Sequence, residues 1–227
     1  MFKHEKQLLK EVHVDAPNPS FANMLQEQIG GPHGELKAAL QYLTQSFRIK
    51  DPRIKDLFLD IASEELGHME IVATLVNLLN GHQLDAQNTT VGGIEASVIS
   101  GLAPMLANAS GYPFNGVYIE ETGDLAADIL SNIAAEQRAK VVYQYLYRQI
   151  TDTGVREAID FLLNREEAHN TLFREAFNMI EETGSLCDWG VTGDSKQYFD
   201  LSSPGNFFDA NNLKNPQPPK FTVPSKQ

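Results

Sequence analysis

Along four stretches of the chain, apolar positions recur at alternating steps of three and four residues, the spacing of one buried helical stripe. The first stretch begins near Ser20 and runs to about Ile49. It is interrupted at Gly30-Gly31-Pro32-His33-Gly34, where three glycines and a proline predict a kink or irregular turn. Asp51-Pro52, an Asx cap followed by proline in the first turn, starts a second helix that runs to about Asn80 and stops at Gly81. A third is predicted from near Asp124 to near Ile150. Thr151-Asp152-Thr153 caps a fourth, which reaches about Glu182 with Gly184 behind it. Residues 1–19, with a short alternating stretch from Leu9 to Val14 and then Pro17-Asn18-Pro19, read as an N-terminal arm outside the bundle. Residues 82–122, rich in Gly, Ala, Ser and Asn, read as a long crossover with room for one short helix between Ile94 and Ala109. From 185 to 227 the chain turns to Asp, Asn, Ser and proline, a non-helical tail too aromatic for a plain linker.

Two antiparallel helix pairs joined by a long connection make an all-α, four-helix bundle over residues 1–184, with an arm and a crossover inside those limits. Helices of about 28 residues would each span roughly 40 Å. A weak two-fold echo relates the first pair to the second. Composition narrows the classes. Of 227 residues, 42% are hydrophobic, which excludes global disorder. The single Cys187 excludes a disulfide framework and any Cys-rich metal site. Charges interrupt every apolar run, so no bilayer span is predicted, and the N-terminus lacks the features of a signal peptide; the expectation is a cytoplasmic protein without a membrane partner. With 30 acidic against 18 basic residues the formal charge is −12, unsuited to binding nucleic acid. Acidity does permit cation binding.

The seams place that acidity. The second helix gives Phe58, Ile61, Glu65, His68, Val72, Leu75, Leu79. The fourth gives Val155, Ile159, Leu162, Glu166, His169, Phe173, Ala176, Ile180, and the third Leu125, Ile129, Asn132, Glu136, Ala139, Tyr143, Leu146, Ile150. In the first, Glu35, Ala39 and Tyr42 share a face, with Leu36, Leu40, Leu43 and Phe47 alongside. Each seam carries ionisable or polar residues at its middle, so four carboxylates and two imidazoles are predicted to converge. An isolated buried carboxylate costs several kcal/mol, on the order of a domain's whole stability. The seams supply no Lys or Arg. A pair of divalent cations would carry about the charge that four Glu require. Glu65 with His68, and Glu166 with His169, stand three apart, so both ligands of each pair project from one helical face. Glu64 and Glu167 lie off the seam and read as surface groups or as neighbours outside the ligand set. Tyr42 and Tyr143 are either core aromatics with satisfied hydroxyls or contacts to the site. His4, His13, His33 and His82 read as solvated, and Cys187 as packed under the tail.

One Glu, a Glu-x-x-His, a long crossover, one Glu and a second Glu-x-x-His: this order resembles the ferritin-like dimetal carboxylate superfamily. The stretches GGPHGELKAALQY, KDLFLDIASEELGHMEIVATL, IAAEQRAKVVYQYLY and REEAHNTLFREAF are similar, more closely, to the manganese catalases. The resemblance covers nearly the whole chain. It implies that Glu35, Glu65, His68, Glu136 and His169 ligate two manganese ions, with Glu65 bridging. It further implies that Glu166 is a proton acceptor beside the metals and that Tyr42 hydrogen-bonds near the ligands. The implied reaction disproportionates hydrogen peroxide to water and dioxygen in a two-electron cycle between Mn(II)₂ and Mn(III)₂. Ligand types alone suit manganese, iron and zinc alike.

The chain departs from parts of that pattern. Some relatives carry Arg immediately before the third-helix ligand and others Lys seven residues beyond it, where this chain has Ala135 and Tyr143. A calcium site at a subunit contact is also implied: Asp56 and Asp60 match its carboxylate pair, and Ser203 and Gly205 part of the tail's share, while Leu201 stands where an Asn ligand would be expected. The alternative for the two aspartates is a solvated acidic face. A homohexamer is implied too, its tails wrapping neighbouring subunits; Tyr198, Phe199, Phe207, Phe208 and Phe221 would be costly left in water. Two other functions share the scaffold: di-iron ferroxidase or peroxidase chemistry, and a structural coat protein. The first lacks support from any rubredoxin-like Cys pair, and the complete ligand set argues against loss of metal in the second.

Overall fold

The structure, a computed structural model, describes residues 6–81 and 104–183. It comprises α1 (Pro19–Gly30), α2 (Glu35–Ser46), α3 (Pro52–Asn80), α4 (Leu125–Gln149) and α5 (Thr153–Thr183), with one 3₁₀ turn at Gly116–Tyr118. The bundle lies in the unit Met1–Glu182, and Thr183–Gln227 is a second unit. The tail residues Cys187, Leu201, Ser203 and Gly205, the tail aromatics, His4, His82 and most of the crossover lie outside the described residues. No helix among the described residues is long and apolar enough to cross a membrane.

Four of the five helices start where a short polar side chain replaces the missing backbone acceptor, and α2 starts after Gly34 with no side-chain cap. Asn18 accepts from the N–H groups of Ser20 and Phe21 at α1, Asp51 from Arg53 at α3, Asp124 from Ala127 at α4 and Asp152 from Val155 at α5. The first predicted helix is two helices, parted at the glycine–proline turn, and that turn carries a tertiary contact. A Cβ at Gly30 would collide with the backbone of Ala107, so the returning crossover lies directly on this turn. At Gly34 a Cβ would stand 2.6 Å from the carbonyl oxygen of Gln28. Only glycine permits both approaches.

The seams face inward as their spacing predicts. Phe58, Ile61, Val72, Leu75 and Leu79 on α3 are buried, as are Val155, Ile159, Leu162, Phe173, Ala176 and Ile180 on α5. Phe47 departs from this pattern: it is 67% exposed, because α2 ends at Ser46 and Phe47 falls on the cap, off the buried face. The arm departs as well. It is not helical, yet Leu8, Val12 and Val14 pack on the core. Asp15 and Asp152 then lock it in place: the Asp15 N–H donates to Asp152 Oδ2 at 2.8 Å, and the Thr153 N–H donates to Asp15 Oδ2 at 2.7 Å. His33 is half-buried rather than solvated, and its burial, with the nearby charges of Arg138 and Lys37, lowers its pKa.

The end of the crossover is held by buried amides. Gln26 Nε2 donates to the carbonyls of Met105 and Ala107. Gln41 Nε2 donates to Asn132 Oδ1 (2.8 Å), Asn132 Nδ2 to Gln45 Oε1 (2.7 Å), and Gln45 Nε2 to the Glu120 carbonyl (2.7 Å); the Glu120 N–H returns to Gln41 Oε1 (2.9 Å). The circuit is closed and ties α2, α4 and the crossover together, one turn from Glu136. Such a network stabilises only when every member is satisfied. Asn132→Ala leaves Gln41 Nε2 and Gln45 Oε1 without these partners. It should cost about 2–4 kcal/mol, read as a fall in Tm of ~6–12 °C by differential scanning calorimetry; a fall under ~2 °C would show that the circuit contributes nothing.

Candidate metal centre

Three helices bring carboxylates to the middle of the bundle through long uninterrupted turns, and α2 brings Glu35 at its first residue, immediately after the Gly31–Gly34 turn. Glu35, Glu65, His68, Glu136, Glu166 and His169 are all at most 1% exposed. The helical pitch places Glu65 beside His68 and Glu166 beside His169, and the two Glu-x-x-His faces meet. His68 Nδ1 lies 3.1 Å from Glu65 Oε2, 3.6 Å from Glu166 Oε1 and 3.7 Å from Glu35 Oε2. His169 Nδ1 lies 2.8 Å from Glu65 Oε1 and 3.8 Å from Glu136 Oε2. Glu65 therefore stands between the two imidazoles, one oxygen toward each. The tightest group among the described residues is Glu65, His68, Glu166 and His169, whose ligand atoms all fall within 4.8 Å of one another. Glu35 and Glu136 flank it on either side.

Two tyrosines complete the frame. Tyr42 donates its hydroxyl to Glu136 Oε1 at 2.5 Å, and Tyr143 donates to Glu35 Oε1. Each tyrosine follows by seven residues the glutamate of its own helix and binds the glutamate of the opposite helix. The two-fold echo in the sequence thus becomes a reciprocal exchange. Each bond engages one oxygen of a flanking carboxylate and leaves the other oxygen turned to the centre. Tyr42 packs edge-on against Phe173 at 4.9 Å, with Phe58 behind it at 5.2 Å, closing one side with aromatic rings. Ile71, Val72, Ile159 and Leu162 belong to the apolar cluster that also contains Tyr143.

The electrostatics describe a site short of positive charge. Burial, then the charges of Glu166 and Glu65, pushes Glu35 well above the carboxylate range; burial, Glu65 and Glu166 do the same to Glu136. Burial and Glu65 raise Glu166. Burial also acts upward on Glu65, but the adjacent His169 and His68 outweigh it and hold that carboxyl low. Burial alone would lower both imidazoles, yet Glu65 and the other carboxylates raise His68, and raise His169 to about 9. Both tyrosines are raised by burial and by the carboxylates around them. The raised carboxyls and imidazoles therefore favour their protonated forms. Glu136 Oε2 and Glu166 Oε1 are buried with no hydrogen bond, and Glu65 Oε1 and His169 Nδ1 face one another at 2.8 Å. These are inward-facing lone pairs of oxygen and nitrogen, the donor set of Mn, Fe or Zn, so the residues fit a dimetal group.

Two contributors, Glu64 and Lys37, lie off the seams. Glu64 reaches His68 on its own helix and His169 and Arg165 on α5. Lys37, two residues beyond Glu35, is buried on α2; burial lowers its pKa to about 8 against the pull of Glu120, and Glu136 also feels its charge. Tyr143, at the position of the missing lysine, supplies a neutral donor to Glu35. A helix-spacing argument weighs only the buried stripe and so cannot find groups that approach from its edge. Glu167, by contrast, is a surface group paired with Lys140 at 2.8 Å. Asp56 and Asp60 are exposed on the outer face of α3, away from the centre.

The family model for manganese-containing catalase matches residues 1–187. A probable manganese catalase of Clostridium acetobutylicum is 60% identical over 228 residues, covering all of both chains. A manganese catalase of Bacillus subtilis is 36% identical over 194 residues, 80% of this chain and 71% of that one. Among solved structures, KatB, a manganese catalase from Anabaena, superposes with a TM-score of 0.75 at 34% identity, covering 85% of this chain and 84% of its own.

The proton-holding state sets a pH dependence. His169, raised from 6.5 to about 9, contributes stability that is complete below pH 6.5 and is lost as pH rises through about 9. The raised Glu35, Glu136 and Glu166 act in the same direction, since each must lose a proton into a site that disfavours the anion. Glu65 acts oppositely, but only in acid. The Tm of chelator-treated protein should therefore fall between pH 6.5 and 9, on the order of 5 °C, while metal-loaded protein stays level. A metal-free Tm that holds or rises across that window contradicts the account.

Proposed function

The chain belongs to the manganese-containing catalase family, and on that premise we propose that Glu35, Glu65, His68, Glu136 and His169 hold two manganese ions, with Glu65 between them. The protein is an enzyme that converts two hydrogen peroxide molecules to two water molecules and dioxygen. The observation carrying the site assignment is the set of buried, inward-facing oxygen and nitrogen atoms with too little cationic charge around them.

Manganese held by Glu35, Glu65, His68, Glu136 and His169 would supply two-electron redox chemistry between Mn(II) and Mn(III), enough to reduce one peroxide and oxidise a second. The protein's part is positional and protonic. Glu65 offers one oxygen to each half of the site. Tyr42 and Tyr143 each engage one oxygen of Glu136 and Glu35, so those carboxylates present a single oxygen inward in a set orientation. Glu166 is the proton carrier: its Oε1 is free of hydrogen bonds, and burial with Glu65 raises its affinity for a proton. It takes the proton of an entering peroxide and gives it to the hydroxide that leaves, so no net charge accumulates in the apolar bundle. Phe58, Phe173 and the aliphatic cluster exclude bulkier reductants.

Iron suits the same ligands chemically, but the family favours manganese. A homohexamer and a calcium ion at Asp56, Asp60, Ser203 and Gly205 extend the reading. The exposure of both aspartates leaves them open to a neighbouring subunit.

Metal analysis of the purified protein should return about two manganese per chain, with dioxygen released from peroxide without haem; iron with no dioxygen sinks the proposal. Glu166→Gln should retain both metals and lower kcat by ~10²–10⁴-fold. His169→Ala should lose metal. If Glu166→Gln strips the metals as completely as His169→Ala, Glu166 is a ligand and not the proton carrier.

A further inference from the structure

Glu64 precedes the central Glu65 on α3 and plays no part in the chemistry above. Its carboxylate spans the outer edges of both imidazoles. Oε1 lies 3.4 Å from Nε2 of His68, and Oε2 lies 3.3 Å from Nε2 of His169. The two rings are stacked, 5.5 Å between centroids and 21° from parallel, so their Nε2 atoms stand side by side before one acceptor group. Their Nδ1 atoms face the opposite way, into the carboxylate centre. Behind Glu64, Arg165 donates from Nε to Oε1 at 2.6 Å and from Nη2 to Oε2 at 3.2 Å, a two-pronged clamp. Arg165 itself immediately precedes Glu166. Each Glu-x-x-His pair is thus flanked by one member of an ion pair that joins α3 to α5 over the histidines.

A neutral imidazole has one N–H and one lone pair, so a metal at Nδ1 requires the proton at Nε2. Two Nε2–H groups side by side require two acceptors. A carboxylate has an acceptor oxygen for each. A carboxamide has one, and its NH₂ would oppose the second N–H. The present spacings exceed an N–H···O hydrogen bond by a few tenths of an ångström, so a small closure completes both.

We propose that Glu64, held by Arg165, is the shared positioning residue of both histidines, accepting the Nε2–H of each and fixing both in the tautomer that turns Nδ1 to the metals. The proposal rests on the reading of His68 and His169 as ligands. One consequence is coupling: a single carboxylate governs ligation at both metal positions, so its loss is felt at both.

The test uses full-length protein loaded with zinc, which takes the same nitrogen and oxygen ligands and is diamagnetic. Histidine ¹⁵N resonances report which ring nitrogen carries the proton. Unaltered protein should show Nε2–H at both His68 and His169. Glu64→Gln should preserve it at one histidine only and weaken zinc and manganese binding ~10–100-fold. Arg165→Met, which leaves Glu64 in place without its clamp, should cause a smaller loss of the same kind, and the double variant should be no worse than Glu64→Gln. If Glu64→Gln does not fold, Arg165→Met decides by the same two readouts. Unchanged tautomers with unchanged affinity in the folded variants would overturn the proposal. If instead His68→Ala and His169→Ala bind metal normally, the ligand assignment itself has failed, a distinguishable result.

Discussion

Everything in this bundle answers to four carboxylates buried at one level. Removing even one ionised carboxylate from water costs several kcal/mol without compensation. The structure meets that cost in layers. Burial raises the proton affinity of Glu35, Glu136 and Glu166, and the carboxylates raise that of both histidines. Tyrosine hydroxyls satisfy one oxygen of each flanking carboxylate. The oxygen and nitrogen atoms gathered there are the donor set that divalent cations take, and a family of manganese enzymes is where the chain belongs. Metal binding and stability are therefore two aspects of the same charge balance.

The frame around the centre is as polar as the centre itself. The circuit through Gln41, Asn132, Gln45 and Glu120 closes on itself and ties the crossover to α2 and α4. A closed, fully bonded surround fixes the positions from which the neighbouring helices present their carboxylates. The Asp15–Asp152 lock extends this rigidity to the arm, which reaches the start of α5.

Periodicity made the bundle legible. Three helices begin within a residue or two of their predicted starts, because Asp51-Pro52, Asp124 and Asp152 are caps with a local mechanism. The carboxylate and imidazole positions followed from the same arithmetic, since a polar residue on a buried seam has nowhere else to point. Calcium and the hexamer have a different basis: they came from resemblance to a family, and part of the calcium set lies outside the described residues.

Local spacing along the chain determined the helices, their inward faces and the six groups at mid-bundle, for those depend on 3.6 residues per turn and on little else. Tertiary structure alone decided the rest. Position 30 must be glycine because the crossover, some seventy-seven positions away in sequence at Ala107, presses its backbone there. Tyr143 bonds Glu35 and not its own helix's Glu136, a choice made by helix packing. Lys37 proves buried, and Glu64 proves to face two histidines at once, although neither lies on a seam. A one-dimensional period registers which face of a helix turns inward. It carries no information about what reaches that face from the edge of a neighbouring helix, and at that edge the centre's outer contacts are made.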